Sequence, residues 1–165
     1  MERAFEIVAV LGARLITINN TLSAAKQVAP LVDKSRVPCR TAGTSRYAPC
    51  RSGHNLLPAN FEEALALSKN YWISFDIGDA TGGGYDALPF VETHHDRIAL
   101  IYLKDRRRDR TSVPWGEGDT PVAEVLRLAR DRKYSGRCFV DCDYKTTDRS
   151  GDVKRSFEYA KKALG

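Results

Sequence analysis

The chain has 165 residues, 42% of them hydrophobic and 28% charged, which fits one ordinary globular domain and excludes wholesale disorder. Its formal charge of +5, from 26 basic and 21 acidic residues, is only a mild lean toward anionic partners. No run approaches the roughly 18 apolar residues of a membrane span, and Met1-Glu2-Arg3 leads into no signal-peptide core.

Taken in chain order, Ala4, Ile7, Val8 and Leu11 fall at helical spacing and predict a first helix closed by Gly12. Arg14–Ile18 reads as a strand, Ala24–Asp33 as a second helix and Arg36–Thr41 as a poor strand, because Pro38 disfavours a central position. Ala42–Ala59 reads as a long loop. Asn60 and Glu63 have the spacing of a capping box for a helix over Phe61–Lys69. Trp72–Ile77 is a strand, Gly78–Gly84 a glycine-rich turn, Leu88–His95 a helix and Ile98–Leu103 a strand. A charged loop, Lys104–Gly118, leads to Asp119-Thr120-Pro121, which reads as the capped start of a helix that Gly136 ends. Arg137–Asp143 is the last strand. Val153, Phe157, Ala160 and Leu164 mark a closing helix, with Lys161 and Lys162 where the helix dipole favours cations.

Strands alternating with helices predict an α/β fold with a mostly parallel sheet. Two architectures fit. One is a five-stranded open doubly wound sheet, and the other is a partial (βα)8 barrel of about five units. The chain opens inside an amphipathic helix with no strand before it, which favours the partial barrel. In either case ligands bind at the C-terminal strand ends. Those ends carry Asp76, then Lys104-Asp105-Arg106, then Asp141 and Asp143, which share parity with Phe139 on the last strand. Carboxylates from separate strands are what a hard or borderline divalent metal requires. A strand-end Asp also caps turns and helices, so the structural reading of Asp76 stands beside the functional one.

Phe75-Asp-Ile-Gly-Asp79, His94-His-Asp-Arg-Ile98, Leu103-Lys-Asp-Arg106, Pro114-Trp-Gly-Glu-Gly-Asp-Thr-Pro121 and Phe139-Val-Asp-Cys-Asp-Tyr144 follow one another in a characteristic order. With them the chain resembles the C-terminal part of the sugar phosphate isomerase/epimerase family, the xylose isomerase-like TIM barrels. The resemblance implies strands four to eight of that barrel. It also implies a divalent metal (Mn, Mg, Co or Zn) and metal-assisted proton transfer between adjacent carbons of a ketose or aldose.

On that resemblance Asp76 and Asp141 are the catalytic and metal-binding carboxylates, with Asp143 a further metal oxygen. Lys104, Arg106, Glu117 and Tyr102 contact the substrate. The chain departs from the family pattern at several positions: Asp79 stands where a His usually follows, and Tyr102 stands where a metal-binding His is usual. Asp141 replaces a Glu, and Thr41–Ser45 replaces a segment that carries His or Glu. Neutral Tyr is a poor ligand for such ions. The expected metal is therefore loosely held or absent, and turnover low or nil.

His54 in the long loop remains a substitute ligand, whereas His94 and His95 belong at the far rim. Lys104–Arg110 has five basic residues in seven, but Asp105 and Asp109 interrupt it and no aromatic accompanies it, so it reads as a solvated loop and nucleic acid is disfavoured. Cys138 and Cys142, about 13 Å apart along a strand, are too distant for a disulfide and are expected to pack under helices. The expected partner is a small-molecule sugar or sugar phosphate. Five barrel strands leave open sheet edges, which predicts self-association or pairing with a missing barrel half. The alternative function is a non-catalytic sugar or sugar-phosphate binding or assembly module. With no leader in view, the cytoplasm is the expected compartment, and no membrane partner is expected.

Overall fold

The computed structural model describes residues 2–12, 22–34, 41–44 and 58–165. They fall into two compact units, Met1–Phe75 and Asp76–Gly165. The strand expected at 14–18, Cys39, Cys50 and His54 lie outside the described residues.

In the first unit, α1 (Glu2–Val10), α2 (Leu22–Lys34), β1 (Thr41–Thr44), α3 (Pro58–Leu67) and β2 (Tyr71–Asp76) follow in order, β2 reaching one residue into the second unit. Ala25, Val28, Ala29 and Val32 repeat at helical spacing, so one face of α2 is buried, and Phe5 and Tyr71 complete that core. The Tyr71 hydroxyl donates to the Ala25 carbonyl at 2.7 Å, which satisfies the only polar atom that this side chain brings into the core. β1 runs parallel to β2, from Thr41 opposite Tyr71 to Thr44 opposite Ser74.

Ile7 and Leu11 are exposed (53% and 73%), and Phe5, one position off their stripe, is the buried anchor of α1. In a two-turn helix one large ring sets the rotation, because it buries the most apolar area. Gly12, at φ +63°, closes α1 as expected. The expected loop from Ala42 contains most of β1, and α3 begins at Pro58, so Asn60 lies inside the helix and is not its cap. Pro58 fits a first helical position, where its missing N–H costs nothing.

The second unit contains α4 (Ile77–Gly82), α5 (Ala87–His94), β3 (Ile98–Leu103), β4 (Asp105–Arg106), β5 (Ser112–Val113), α6 (Val122–Asp131), β6 (Arg137–Val140) and α7 (Arg149–Leu164). β3 is a continuous apolar run, buried at five of six positions, as a strand covered on both faces must be. β6 pairs parallel with it, Leu100 opposite Arg137 and Leu103 opposite Val140. β4 and β5 form a short antiparallel hairpin, so the stretch expected as an unstructured charged loop has its own pairing. Val122, Val125 and Leu126 bury the expected face of α6.

The expected glycine-rich turn is instead the helix α4, capped by Asp76, whose carboxylate accepts the Asp79 N–H at 3.0 Å. Gly78 is buried, and the position requires glycine because a Cβ there would lie 2.9 Å from both Lys104 Cγ and the Lys104 carbonyl oxygen. The expected Asp119/Thr120 cap also fails: Pro121 occupies the N-cap with no side-chain bond, while Asp119 accepts the Arg108 N–H. α6 ends at Asp131, before Gly136.

The face of α7 that is buried carries Asp152 and Ser156, whereas Val153 and Phe157 are exposed. All four residues of β6 are exposed, Cys138 among them, so the expectation that this thiol packs under a helix is not met. Among the described residues of this unit, β3 is the strand partner of β6 and no strand takes its other edge. No helix of the described residues is long and apolar enough to cross a membrane.

Candidate functional site

The C-terminal ends of the strands form a crown of charge around one ammonium. Lys104 follows β3 directly and is 4% exposed. Its Nζ lies 3.1 Å from Asp76 Oδ2, 3.8 Å from Asp79 Oδ1, 3.3 Å from Asp141 Oδ2 and 3.0 Å from Asp143 Oδ2. Arg106 adds a second cation, 3.3 Å from Asp79 and 3.0 Å from Asp143. Four carboxylates against two cations leave a formal charge of −2.

The backbone explains this convergence. In an extended chain Tyr102, Lys104 and Arg106 share one side, and Asp105 takes the other. The β3–β6 register places Asp141 opposite Lys104, and the ladder runs one step past the strand end: the Asp141 N–H donates to the Leu103 carbonyl at 2.9 Å. The sequence expectation of a strand to Asp143 therefore overran the regular strand by three residues, yet both carboxylates reach one cation as their shared parity implied.

Asp105 organises the loop behind the crown. It is 2% exposed, and it accepts the N–H groups of Gly116 (2.8 Å), Gly118 (3.1 Å) and Thr120 (3.2 Å). Alternate residues of Trp115-Gly-Glu-Gly-Asp-Thr120 thus aim their N–H groups at one carboxylate. Gly118 is required there, since any Cβ would collide with Asp105 Oδ1. Trp115 anchors the loop edge-on to Tyr159, ring centroids 6.0 Å apart.

The carboxyls differ in proton affinity. Burial pushes Asp79 up to about 6, with Asp76 adding to the rise and Lys104 and Arg106 opposing it. Burial opposes ionisation of Asp143 too, but hydrogen bonds from Ser112 and Lys104 prevail and lower it to about 2. Burial would also push Lys104 down, yet the carboxylates, Asp76 foremost, hold it well above the usual lysine range.

The signs predict opposite pH behaviour. Asp79 is protonated more readily folded than unfolded, so its ionisation costs stability as pH rises from about 4 to about 6, and the cost stays constant above. Asp143 contributes stability that is complete above about 4 and lost as pH falls through about 2. Urea denaturation near pH 7 is expected to find Asp79→Asn neutral or stabilising by up to about 2 kcal/mol. Asp143→Asn should cost roughly 1 kcal/mol after solvent screening of a side chain one-third exposed, and nothing below about pH 2.

Of the residues expected at the site, the structure brings Asp76, Lys104, Arg106, Asp141 and Asp143 together. Asp76 is fully buried, with one oxygen accepting the Asp79 N–H and the other paired with Lys104. Tyr102 is half-buried beside the crown and stacks on Phe139 at 5.8 Å. Glu117 is exposed on the loop, and the ion pairs of Lys104 and Arg106 do not include it. His94 packs on Phe90 and His95 meets the Glu92 carbonyl, both within α5 or at its end. Asp79 belongs to the crown although sequence reasoning gave it no role. Its signal was its spacing from Asp76, one helical turn of a segment read as a turn.

A separate cleft of about 360 Å³ is lined by Thr81, Tyr85, Asp86, Arg108 and Asp119. Both of its carboxylates are engaged, Asp86 capping α5 and Asp119 accepting from the Arg108 backbone.

The crown does not fit a divalent metal as it stands. Its oxygens point at an ammonium at N···O distances of 3.0–3.8 Å, and no group of three or more His, Cys, Asp or Glu among the described residues is arranged to hold an ion. Arranged this way, the crown presents carboxylate oxygens and one guanidinium around a central ammonium.

No protein-family model matches the chain, and no curated protein matches it. Solved structures do. A D-tagatose 3-epimerase-like protein superposes with a TM-score of 0.72 at 17% identity, over 99% of this chain and 67% of that one. A xylose isomerase domain protein from Planctomyces limnophilus gives 0.71 at 12% identity, covering 98% and 64%. A sugar phosphate isomerase/epimerase from Parabacteroides distasonis gives 0.65 at 17% identity, covering 99% and 63%. About a third of each of those chains therefore has no counterpart here. The likeness decides between the two architectures: the fold is α/β and matches part of a xylose isomerase-like barrel, and the described strands do not close one.

Proposed function

We propose that the crown binds a sugar or sugar phosphate on a scaffold shared with sugar isomerases and epimerases, with little or no turnover. The observation that carries this is the position of Lys104 within 3.0–3.8 Å of four carboxylates. Proton transfer between adjacent carbons needs one carboxylate free to take a proton and a cationic centre to polarise the oxygens. Here the buried carboxylate, Asp76, is committed to Lys104 and to the α4 cap. Asp141 and Asp143 keep side-chain exposures of 17% and 35%, enough to accept sugar hydroxyls. Arg106 supplies a planar donor for a hydroxyl or phosphate, and Tyr102 a ring face.

Ketoses, aldoses and their phosphates are expected to raise the melting temperature equally in EDTA and in Mn²⁺, and Arg106→Ala to abolish the rise. Ketose isomerisation or epimerisation that requires Mn²⁺ or Co²⁺ and disappears in Asp76→Ala and Asp141→Ala would replace this reading with that of an active metalloenzyme. Stabilisation by no sugar or phosphate would remove it altogether. The edge of β6 that no described strand takes, with all four of its residues exposed, supports pairing with strands of another chain, in the first instance a second copy. Light scattering is then expected to give a dimer or larger species, and a monomer would contradict that part.

A further inference from the structure

The crown holds four carboxylates but no room for a metal, because the chain has filled their common centre with one of its own side chains. We propose that the Lys104 ammonium is a tethered counter-cation in the place a divalent ion would take. The native crown then binds no such ion, and removing the ammonium turns it into a divalent-cation site. This inference is independent of the sugar reading, and no sugar enters its test.

Three observations support it. The Nζ atom is the point on which the four carboxylates converge, each turning one oxygen toward the same ammonium. Lys104 cannot move aside cheaply, since its stem is wedged against Gly78 and 4% of its surface is exposed. The charge count also agrees. With Lys104 the crown is formally −2; without it, four carboxylates and Arg106 leave −3, and one divalent ion returns it to −1. A divalent ion added beside the ammonium would instead meet like charge a few ångströms away, in a partly desolvated site where repulsion is strong. With oxygen donors only and Tyr102 in place of an imidazole, the vacated crown would select hard ions such as Mn²⁺ or Ca²⁺ over Zn²⁺.

The test titrates EDTA-treated protein with Mn²⁺, reading free Mn²⁺ by electron paramagnetic resonance and stability by thermal melting. Native protein is expected to leave the free signal and the melting temperature unchanged at millimolar Mn²⁺. Lys104→Ala is expected to take up one Mn²⁺ per chain and to melt several degrees higher with it, an effect that Asp141→Asn in the same background removes. Uptake of one Mn²⁺ by the native chain, lost in Asp76→Asn, overturns the proposal. So does a folded Lys104→Ala that binds none, or one that stays unfolded in millimolar Mn²⁺ while Lys104→Gln folds and binds none. A measurement on the native chain alone stands beside these: the ¹⁵N ammonium resonance of Lys104 should persist unbroadened when Mn²⁺ is added, and its loss overturns the proposal.

Discussion

Lys104→Ala in EDTA is expected to lower stability by about 3–5 kcal/mol, measured by urea denaturation near pH 7, because it leaves buried carboxylates without their cation. Lys104 is 4% exposed and Asp76 0%, and no solvent reaches Asp76 to replace the lost charge. The cost is a statement about the broken pair and not about the net worth of the pair. Burying both partners already required desolvation, which their attraction offsets only where the geometry is good. Lys104→Ala combined with Asp76→Asn should recover part of the loss, since one uncompensated charge disappears with it. Recovery is expected to be incomplete, because the Asp76 carboxylate also caps α4 through the Asp79 N–H. Full additivity of the two substitutions would show that they do not interact and would sink the crown as described.

The second large effect is expected at Asp105, where alanine should cost about 3 kcal/mol or more. Three N–H groups at Gly116, Gly118 and Thr120 lose one acceptor together, in a loop whose backbone has no ladder to fall back on. Asp105→Asn keeps one acceptor oxygen and introduces a donor facing N–H groups, so it should fall between the native chain and alanine. Hydrogen exchange at the amides of Gly116, Gly118 and Thr120 checks this directly. They should lose protection in Asp105→Ala while β3 amides keep most of theirs. Uniform loss across the unit would mean that the carboxylate holds the whole fold and not the loop.

Much of this was legible in the residues. β2 and β3 are apolar runs that read as strands to within a residue, and α2, α5 and α6 follow from helical spacing. The shared parity of Asp141 and Asp143 on the last strand, legible in the sequence, agrees with their convergence on one cation. What could not be read was how they would pair. Sequence reasoning sent the carboxylates to a metal and the lysine to substrate, because nothing local says that a long flexible side chain will turn into its own strand-end cluster. Gly78 carried the hint, but a glycine between two aspartates reads as a turn, and only the closeness of Lys104 shows why it sits in a helix. Asp105 was unread for a similar reason: its partners are backbone N–H groups 11 to 15 residues away, which composition does not register. The buried polar stripe of α7, Asp152 and Ser156, likewise defeats a rule that places apolar residues inside.

The most direct measurement is a crystal structure of the native protein grown in millimolar Mn²⁺, with data collected at the manganese absorption edge. Density is expected for Lys104 Nζ among Asp76, Asp79, Asp141 and Asp143, with no anomalous peak between them. A manganese peak within bonding distance of those carboxylates, with the lysine turned away, would contradict it.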